Sequence, residues 1–183
     1  MSGGSLIAFL WVVPVFAADP KTSKSQTSAT GVYSIRLVEL EKGHCRVEVM
    51  EETKLAWQVD KCVGTTDDFY FVANNGQRFW IVRAFPEKPH PTKGSPNAWL
   101  SVVVAVLYDR EGKVLKRVTA RELVPVRARH RVRQLGKHFL WLKGVGGVPG
   151  EMPRVNDHNE VELEPVESKP VHLKFQPRGA SNG

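Results

Sequence analysis

The residues with the clearest chemical potential are arginines that alternate with other side chains. The run VRARHRVR, residues 126–133, contains four of them and lies within a basic stretch, 113–143, in which Glu122 is the one acid. On a β-strand, side chains two residues apart share a face, at intervals of about 6.6–7 Å. Guanidinium groups in such a row bind carboxylate, sulfate or phosphate oxygens well. The pattern marks as anion-binding candidates Arg121, Arg127, Arg129, Arg131, Arg133 and Lys137.

An acidic run further along the chain offers a second interpretation of the same arginines. In DHNEVELEPVE, alternation places Glu160, Glu162 and Glu164 on one face. A strand with these glutamates beside a strand with the arginines would form a cross-strand ladder of ion pairs. Exposed pairs contribute less than about 1 kcal/mol each, so the ladder would set register more than stability. A solvent-exposed binding surface and an internal ladder both stay open at this point.

Aromatic residues form the second candidate surface. The run DDFYFVANNGQRFWIV, residues 67–82, places two aromatic-rich segments around Asn75-Gly76, which is typical of a type I′ hairpin turn. An exposed aromatic face would stack on a ligand such as a sugar ring. The candidates for this aromatic surface are Tyr70, Trp80 and Trp141. Both faces of the segment after the turn are largely apolar, so burial by the rest of the fold is the alternative.

The sequence matches no catalytic or metal-binding motif that we could identify. It contains neither a nucleophile elbow nor an HExxH pair, and its six histidines are scattered. Asp67 and Asp68 precede a strand, where such residues usually serve turns. Whether His138, Asp157 and His158 meet in space is left open. We therefore expect no catalytic residue, no metal site and no cofactor, with a small hydrolase as the enzymatic alternative.

The cysteines predict one disulfide. Cys45 and Cys62 are the only two in the chain, and neither has a His or Cys partner at a recognised metal-ligand spacing. Their bond would close a loop of about 17 residues and stabilise the fold by about 3 kcal/mol on the chain-entropy model. Structural disulfides belong to oxidising compartments, so this prediction agrees with export.

The two ends have the composition of segments outside a folded domain. Near the start, Leu6 to Phe16 is an uncharged apolar run followed by small residues, which is typical of a secretory signal. Met1 to Ser5 contain no Lys or Arg, so an uncleaved interfacial anchor is the alternative. The sequence thus predicts a signal peptide over 1–17, a flexible polar leader over 18–30, one β-rich domain over 31–176 and a loose tail over 177–183.

Between these ends, the hydrophobic pattern indicates strands. Beyond the hairpin and the Arg-rich run, alternating, β-branched or apolar segments cover 31–40, 44–50, 55–59, 99–108, 113–119, 160–166 and 171–175. One short helix is predicted at Thr119 to Val124, where Thr and Glu have the spacing of a capping box. We expect a mainly β fold, a small antiparallel sheet, sandwich or partly open barrel of about 8–9 strands with at most one short helix.

These observations favour a binding function. We expect an exported, periplasmic or secreted, non-catalytic β-domain that binds an anionic glycan or a lipid head group through the Arg-rich strand. The net charge of +7 agrees with an anionic partner. The alternative is a structural subunit or protein-interaction domain of an envelope complex that uses the apolar aromatic hairpin face. Nucleic acid is not the expected partner in vivo, and the sequence does not fix the oligomeric state.

Overall fold

The computed structural model describes residues 20–89 and 97–176. The predicted signal peptide and loose tail lie outside these described residues. Within them the chain is mainly β, as predicted, with thirteen strands in four small antiparallel sheets that do not close into a barrel. Several strands of only two or three residues account for the excess over the predicted number.

The strands are consecutive in each sheet, so every sheet is a meander or a hairpin. The first sheet contains β1 (Gln26–Thr27), β2 (Tyr33–Glu39), β3 (Cys45–Glu51) and β4 (Lys54–Val59). The second contains β5 (Phe69–Val72), β6 (Arg78–Val82), β7 (Val103–Asp109) and β8 (Val114–Thr119). The two smaller sheets are formed by β9 (Arg133–Leu135) with β10 (His138–Leu140), and by β11 (Arg154–Val155), β12 (Glu160–Leu163) and β13 (Val171–Lys174). The short helices are the 3-10 turns Glu41–Gly43, Ala98–Ser101 and Val126–Arg131 and the α-helix α1 (Ala120–Leu123).

The second sheet is covered on both faces. Phe79 and Ile81 of β6 pack into an apolar cluster with the first sheet, whereas Trp80 and Val82 pack into a second cluster with the C-terminal half of the chain. Successive strand residues point to opposite faces, so a strand buried on both sides must be apolar throughout. The aromatic hairpin is therefore the centre of the core, in agreement with the two apolar faces seen in its sequence.

The hairpin itself is confirmed, but its turn differs from the predicted one. Phe71 pairs with Trp80, and the backbone of Ala73 still bonds to Arg78, so four residues form the loop instead of two. Gly76 has a φ of +66°, whereas Asn75 keeps a negative φ. A type I′ turn needs positive φ at both central residues, so this turn is of another type.

The leader prediction fails for the described part of residues 18–30. From Pro20 onwards this segment lies along β2, and β1 pairs with it antiparallel. The amide of Ser23 donates to the carbonyl of Leu37 (2.9 Å), and the amide of Leu37 donates back to the Ser23 hydroxyl (2.8 Å). Sheet pairing is made by the main chain, so a polar Ser/Thr composition does not prevent it.

Two local predictions are confirmed. Cys45 and Cys62 form a disulfide that ties the start of β3 to the segment after β4. Thr119 precedes α1, and the Glu122 carboxylate accepts from the Thr119 amide (2.7 Å) and hydroxyl (2.8 Å). This satisfies donors that a helix start leaves without a partner.

Candidate functional site

The Arg-rich run is not a strand. Residues 125–133 are called the basic segment below. Val126–Arg131 form two successive 3-10 turns, in the first of which the amide of Ala128 donates to the carbonyl of Pro125, and only Arg133 belongs to a strand, as the first residue of β9. The amide of Val132 closes the second turn on Arg129. A strand with no neighbour would leave such backbone groups unpaired, and 3-10 turns satisfy them locally. The predicted rail of alternating arginines on one strand face is therefore wrong.

The side chains of the basic segment divide into anchors and exposed cations. Ala128 and Val132 are buried in the main apolar cluster and fix the segment to the core. The three exposed arginines are Arg127, Arg131 and Arg133. Arg129 is half-buried, and its Nε atom is shielded from solvent with no hydrogen-bond partner among the described residues. The fold therefore presents cations on an outer surface while it holds their backbone rigidly.

The predicted acidic ladder does not form against these arginines. β12, which carries Glu160 and Glu162, lies between β11 and β13. Glu162 instead binds Arg154 (3.0 Å), and Glu160 faces His172 and Lys174. The third glutamate of the acidic run, Glu164, binds Lys143. All three are thus engaged elsewhere, and no arginine of the basic segment forms an ion pair within the described residues.

Arg121 and Lys137, the other two predicted anion-binding residues, differ in their ion pairing. Arg121 is exposed on α1, and no ion pair to it lies within the part of the chain that the structure describes. Lys137, at the turn between β9 and β10, binds Glu87. Arg121 therefore adds to the free positive charge beside the basic segment, whereas Lys137 is neutralised by its neighbour.

The three aromatic surface candidates are all inside the protein. Tyr70, Trp80 and Trp141 have no exposed surface. The Trp141 indole donates to the carbonyl of Arg83 (3.0 Å), and burial raises the pKa of the Tyr70 hydroxyl, which donates to the carbonyl of Thr65. The prediction of an aromatic surface at these residues is wrong, because both faces of the hairpin are covered. The apolar hairpin face is therefore not available as a protein-interaction surface.

A cleft that the sequence did not reveal lies next to the basic segment. It has a volume of about 640 Å³ and is lined by residues from three parts of the chain, 62–65 with 67–68, 83 with 85–87, and Leu135 and His138 of the β9–β10 hairpin. The disulfide fixes the first part at Cys62. An antiparallel bridge between Glu87 and His138 joins the second part to the hairpin. Three separate parts of the chain are thus held together around one opening.

Asp68 is the most strongly buried carboxylate of this cleft. Its two oxygens accept from the amides of Thr65 (2.9 Å) and Ala84 (3.1 Å), so it ties the loop to the end of β6. Burial raises the pKa of Asp68, and the two backbone donors and nearby Arg83 only partly oppose this rise. A carboxylate that closes a turn in this way is foremost a structural group, as expected for an aspartate before a strand.

The raised pKa of Asp68 predicts how stability changes with pH. The folded state binds this proton more tightly than the unfolded state, so the resulting stabilisation is full below about pH 3.9 and is lost as pH rises through the folded-state pKa. Asp68→Asn lacks the titrating group. We expect the free energy of unfolding of the native protein, relative to this variant, to fall with rising pH in urea titrations. A difference that rises with pH would mean that the backbone hydrogen bonds dominate.

Arg83 and His138 are the basic side chains that line the cleft. The backbone of Arg83 is fixed on both sides, since its amide donates to Val104 and its carbonyl accepts from Trp141. No ion pair to its guanidinium lies within the described residues. His138 donates from Nδ1 to the carbonyl of Phe85 (2.8 Å), which leaves Nε2 as the acceptor of a neutral ring.

The remaining histidine hypothesis is not supported. Asp157 and His158 line a separate cavity with Arg154 and His172, whereas His138 lines the cleft beside Asp68. No group of three or more metal-ligating side chains with the geometry of a metal site occurs among residues 20–89 and 97–176. Over the same residues, no helix has the length and apolar character needed to cross a membrane.

Comparisons with known proteins give no relative. No family model matches this chain, and neither a curated protein nor a solved structure matches it. The basic segment and the neighbouring cleft are therefore the features that indicate a function.

Proposed function

We propose that this protein is an exported, non-catalytic β-domain that binds an anionic partner, an acidic glycan or a lipid phosphate, through its basic segment. The observation that carries this proposal is that Arg127, Arg131 and Arg133 are exposed and have no acidic partner within the described residues. Exposed guanidinium groups without an acidic partner remain available to sulfate, carboxylate or phosphate oxygens.

The surroundings of the basic segment support the same proposal. Glu122, the one acid of the stretch 113–143, accepts both of its described hydrogen bonds from Thr119. Half-buried Arg129 also forms no ion pair within the described residues, so its positive charge is not neutralised. Exposed Arg121 adds a further cation nearby. Such a concentration of one sign of charge attracts polyanions and speeds their association.

Export is the part of this proposal that the disulfide supports. Cys45 and Cys62 are bonded, and such bonds persist in oxidising compartments outside the cytosol. Anionic glycans and lipid head groups are the abundant anions of those compartments. The disulfide therefore supports the proposal that the protein is periplasmic or secreted.

Replacing the three exposed arginines tests the proposal directly. We expect Arg127→Ser/Arg131→Ser/Arg133→Ser to elute from a heparin column at much lower salt than the native protein. Each lost contact should also lower the slope of log K against log salt by roughly one unit, as counterion release predicts. Arg129 is left in place because its partly buried stem contributes to packing. Exposed substitutions change stability by about 0.5 kcal/mol or less, so circular dichroism should show a folded variant.

The matched control removes the same charge elsewhere. Lys54, Lys61 and Lys169 are exposed and form no ion pair within the described residues, so their triple serine variant has the same net charge. We expect it to elute with the native protein. If both triple variants lost heparin retention equally, net charge alone would explain the retention, and this result would contradict the proposal. Flotation with anionic phospholipid vesicles, run in parallel, distinguishes a lipid partner from a glycan.

A further inference from the structure

The cleft beside the basic segment has the size and the groups of a ligand site. Its volume of about 640 Å³ falls in the range of small-molecule pockets, about 300–1,000 Å³. Its walls are fixed by the Cys45–Cys62 disulfide, by the hydrogen bonds of Asp68 and by the bridge between Glu87 and His138. A site with a rigid backbone loses little entropy when a ligand binds.

The groups that line this cleft define the chemistry of its ligand. The Arg83 guanidinium forms no ion pair within the described residues, although its charge acts on nearby Asp68, and it favours a carboxylate ligand because two parallel hydrogen bonds can form. The Nε2 atom of His138 and the exposed carboxylate of Asp67 accept hydrogen bonds, which hydroxyl groups supply. The half-buried ring of Phe85 offers a negative π face to polarised C–H groups.

One class of ligand carries all of these groups in one ring, namely a sugar acid. A uronic acid has a carboxylate for Arg83, several hydroxyls for Asp67 and His138, and an apolar C–H face. A phosphate is a poorer match, because its greater negative charge would lie close to the three carboxylates that line the cleft, Asp67, Asp68 and Glu87, of which Glu87 is paired with Lys137. The balance of one cation against these acceptors therefore favours a carboxylate that is surrounded by hydroxyls.

The cleft is also continuous with the basic segment. Leu135 lines the cleft, and Arg133 lies two residues earlier on β9, so the two side chains share one face of the strand. Leu135 is 55% exposed, and it marks the rim of the cleft on that side. Arg133 is therefore the arginine of the basic segment that lies next to this rim.

We propose that the cleft binds one uronic acid residue of an acidic polysaccharide, with its carboxylate on Arg83, while the following residues of the polymer lie along the basic segment. This inference rests on the proposed function, of which it specifies the partner. It divides the binding between a selective pocket and a less selective cationic surface.

Galacturonate and its methyl ester, titrated into the full chain and followed by NMR, test the pocket without the polymer. We expect the ester to bind at least about tenfold more weakly, because it cannot form the charge-assisted pair with Arg83. Arg83→Gln should weaken galacturonate binding by a similar factor, and it should lower heparin retention by much less than the loss of the three exposed arginines does. Arg127→Ser/Arg131→Ser/Arg133→Ser should give the opposite pattern. Equal affinity for acid and ester overturns the inference, and this measurement needs no variant to fold.

A control arginine lies at the far end of the same sheet. The Arg83 amide donates to Val104 at the start of β7, whereas Arg110 follows the other end of this strand. Arg110→Gln should therefore change neither galacturonate binding nor heparin retention. Native heparin retention without galacturonate binding overturns the inference and leaves the proposed function standing. Galacturonate binding without heparin retention overturns the proposed function and supports the pocket. Binding of glycerol phosphate in place of galacturonate overturns the inference in favour of a lipid head group.

Discussion

Trp80→Ala is expected to lower the free energy of unfolding by about 3–5 kcal/mol, the range for the loss of a fully buried large aromatic side chain. Trp80 has no exposed surface and lies where β6 faces the larger apolar cluster. Its indole also donates to the carbonyl of Lys174 (3.2 Å), so the substitution leaves that carbonyl without this donor. A domain of this size is commonly stable by only about 5–15 kcal/mol. Urea unfolding followed by circular dichroism measures the loss.

A second tryptophan provides the control for this experiment. Trp57 also donates its indole hydrogen to a carbonyl, that of Gly76 (2.7 Å), but its side chain is only half-buried. Trp57→Ala should therefore cost clearly less than Trp80→Ala. If Trp80→Ala instead kept native stability and lost ligand binding, the aromatic surface hypothesis would return. The comparison thus decides between a core residue and a recognition residue at Trp80.

The hairpin was predictable because successive side chains of a strand point to opposite faces, so the apolar residues in its sequence show which faces are buried. In RFWIV, every residue after the first is apolar, and a strand with two apolar faces needs cover on both. Phe79 and Ile81 indeed face the first sheet while Trp80 and Val82 face away from it. The turn was less predictable, since Asn75-Gly76 occurs in several turn types that differ in the φ of the first residue.

The basic segment shows why alternation alone was misleading. An alternating run predicts a strand only if its second face is apolar enough to be buried, and here Val126 is 74% exposed and His130 is exposed as well. Ala128 and Val132, four residues apart, are the ones that enter the core. On a strand, Val126 and His130 would share the face of Ala128 and Val132, so their exposure excludes a strand here. Pro125 lies immediately before this run. Its fixed φ and missing amide hydrogen are the signal in the sequence against a strand.

The cleft could not have been predicted from the sequence. Asp68, Arg83 and His138 come from different elements, and no motif spacing joins them. They meet because the backbone of residues 86–88 pairs with the start of β10, which brings His138 to the end of β6. Backbone pairing of this kind leaves no mark in side-chain composition. The same reason explains why the polar residues 20–30 were expected to form a flexible leader and instead lie along β2.

Loss of the disulfide is the second large effect that we expect. The bond between Cys45 and Cys62 has a sequence separation of 17 residues, and a loop of this length corresponds to about 3 kcal/mol of stability on the chain-entropy model. Cys45→Ala/Cys62→Ala should therefore lower the free energy of unfolding by about that amount in urea. The effect should extend to binding, because Cys62 lies in the wall of the cleft together with Gly64 and Thr65.

Reducing agent separates this effect from the packing of the cysteine side chains. Dithiothreitol should destabilise the native protein and weaken its binding of galacturonate, but it should leave the double alanine variant unchanged, because that variant has no bond to reduce. Heparin retention should change little in either protein. Ala128 and Val132 fix the basic segment to the core, and both are far from the two cysteines in sequence. An identical urea midpoint of the native protein with and without reductant would show that the disulfide contributes nothing to stability. A loss of heparin retention equal to the loss of galacturonate binding would show that the cleft and the basic segment act as one surface.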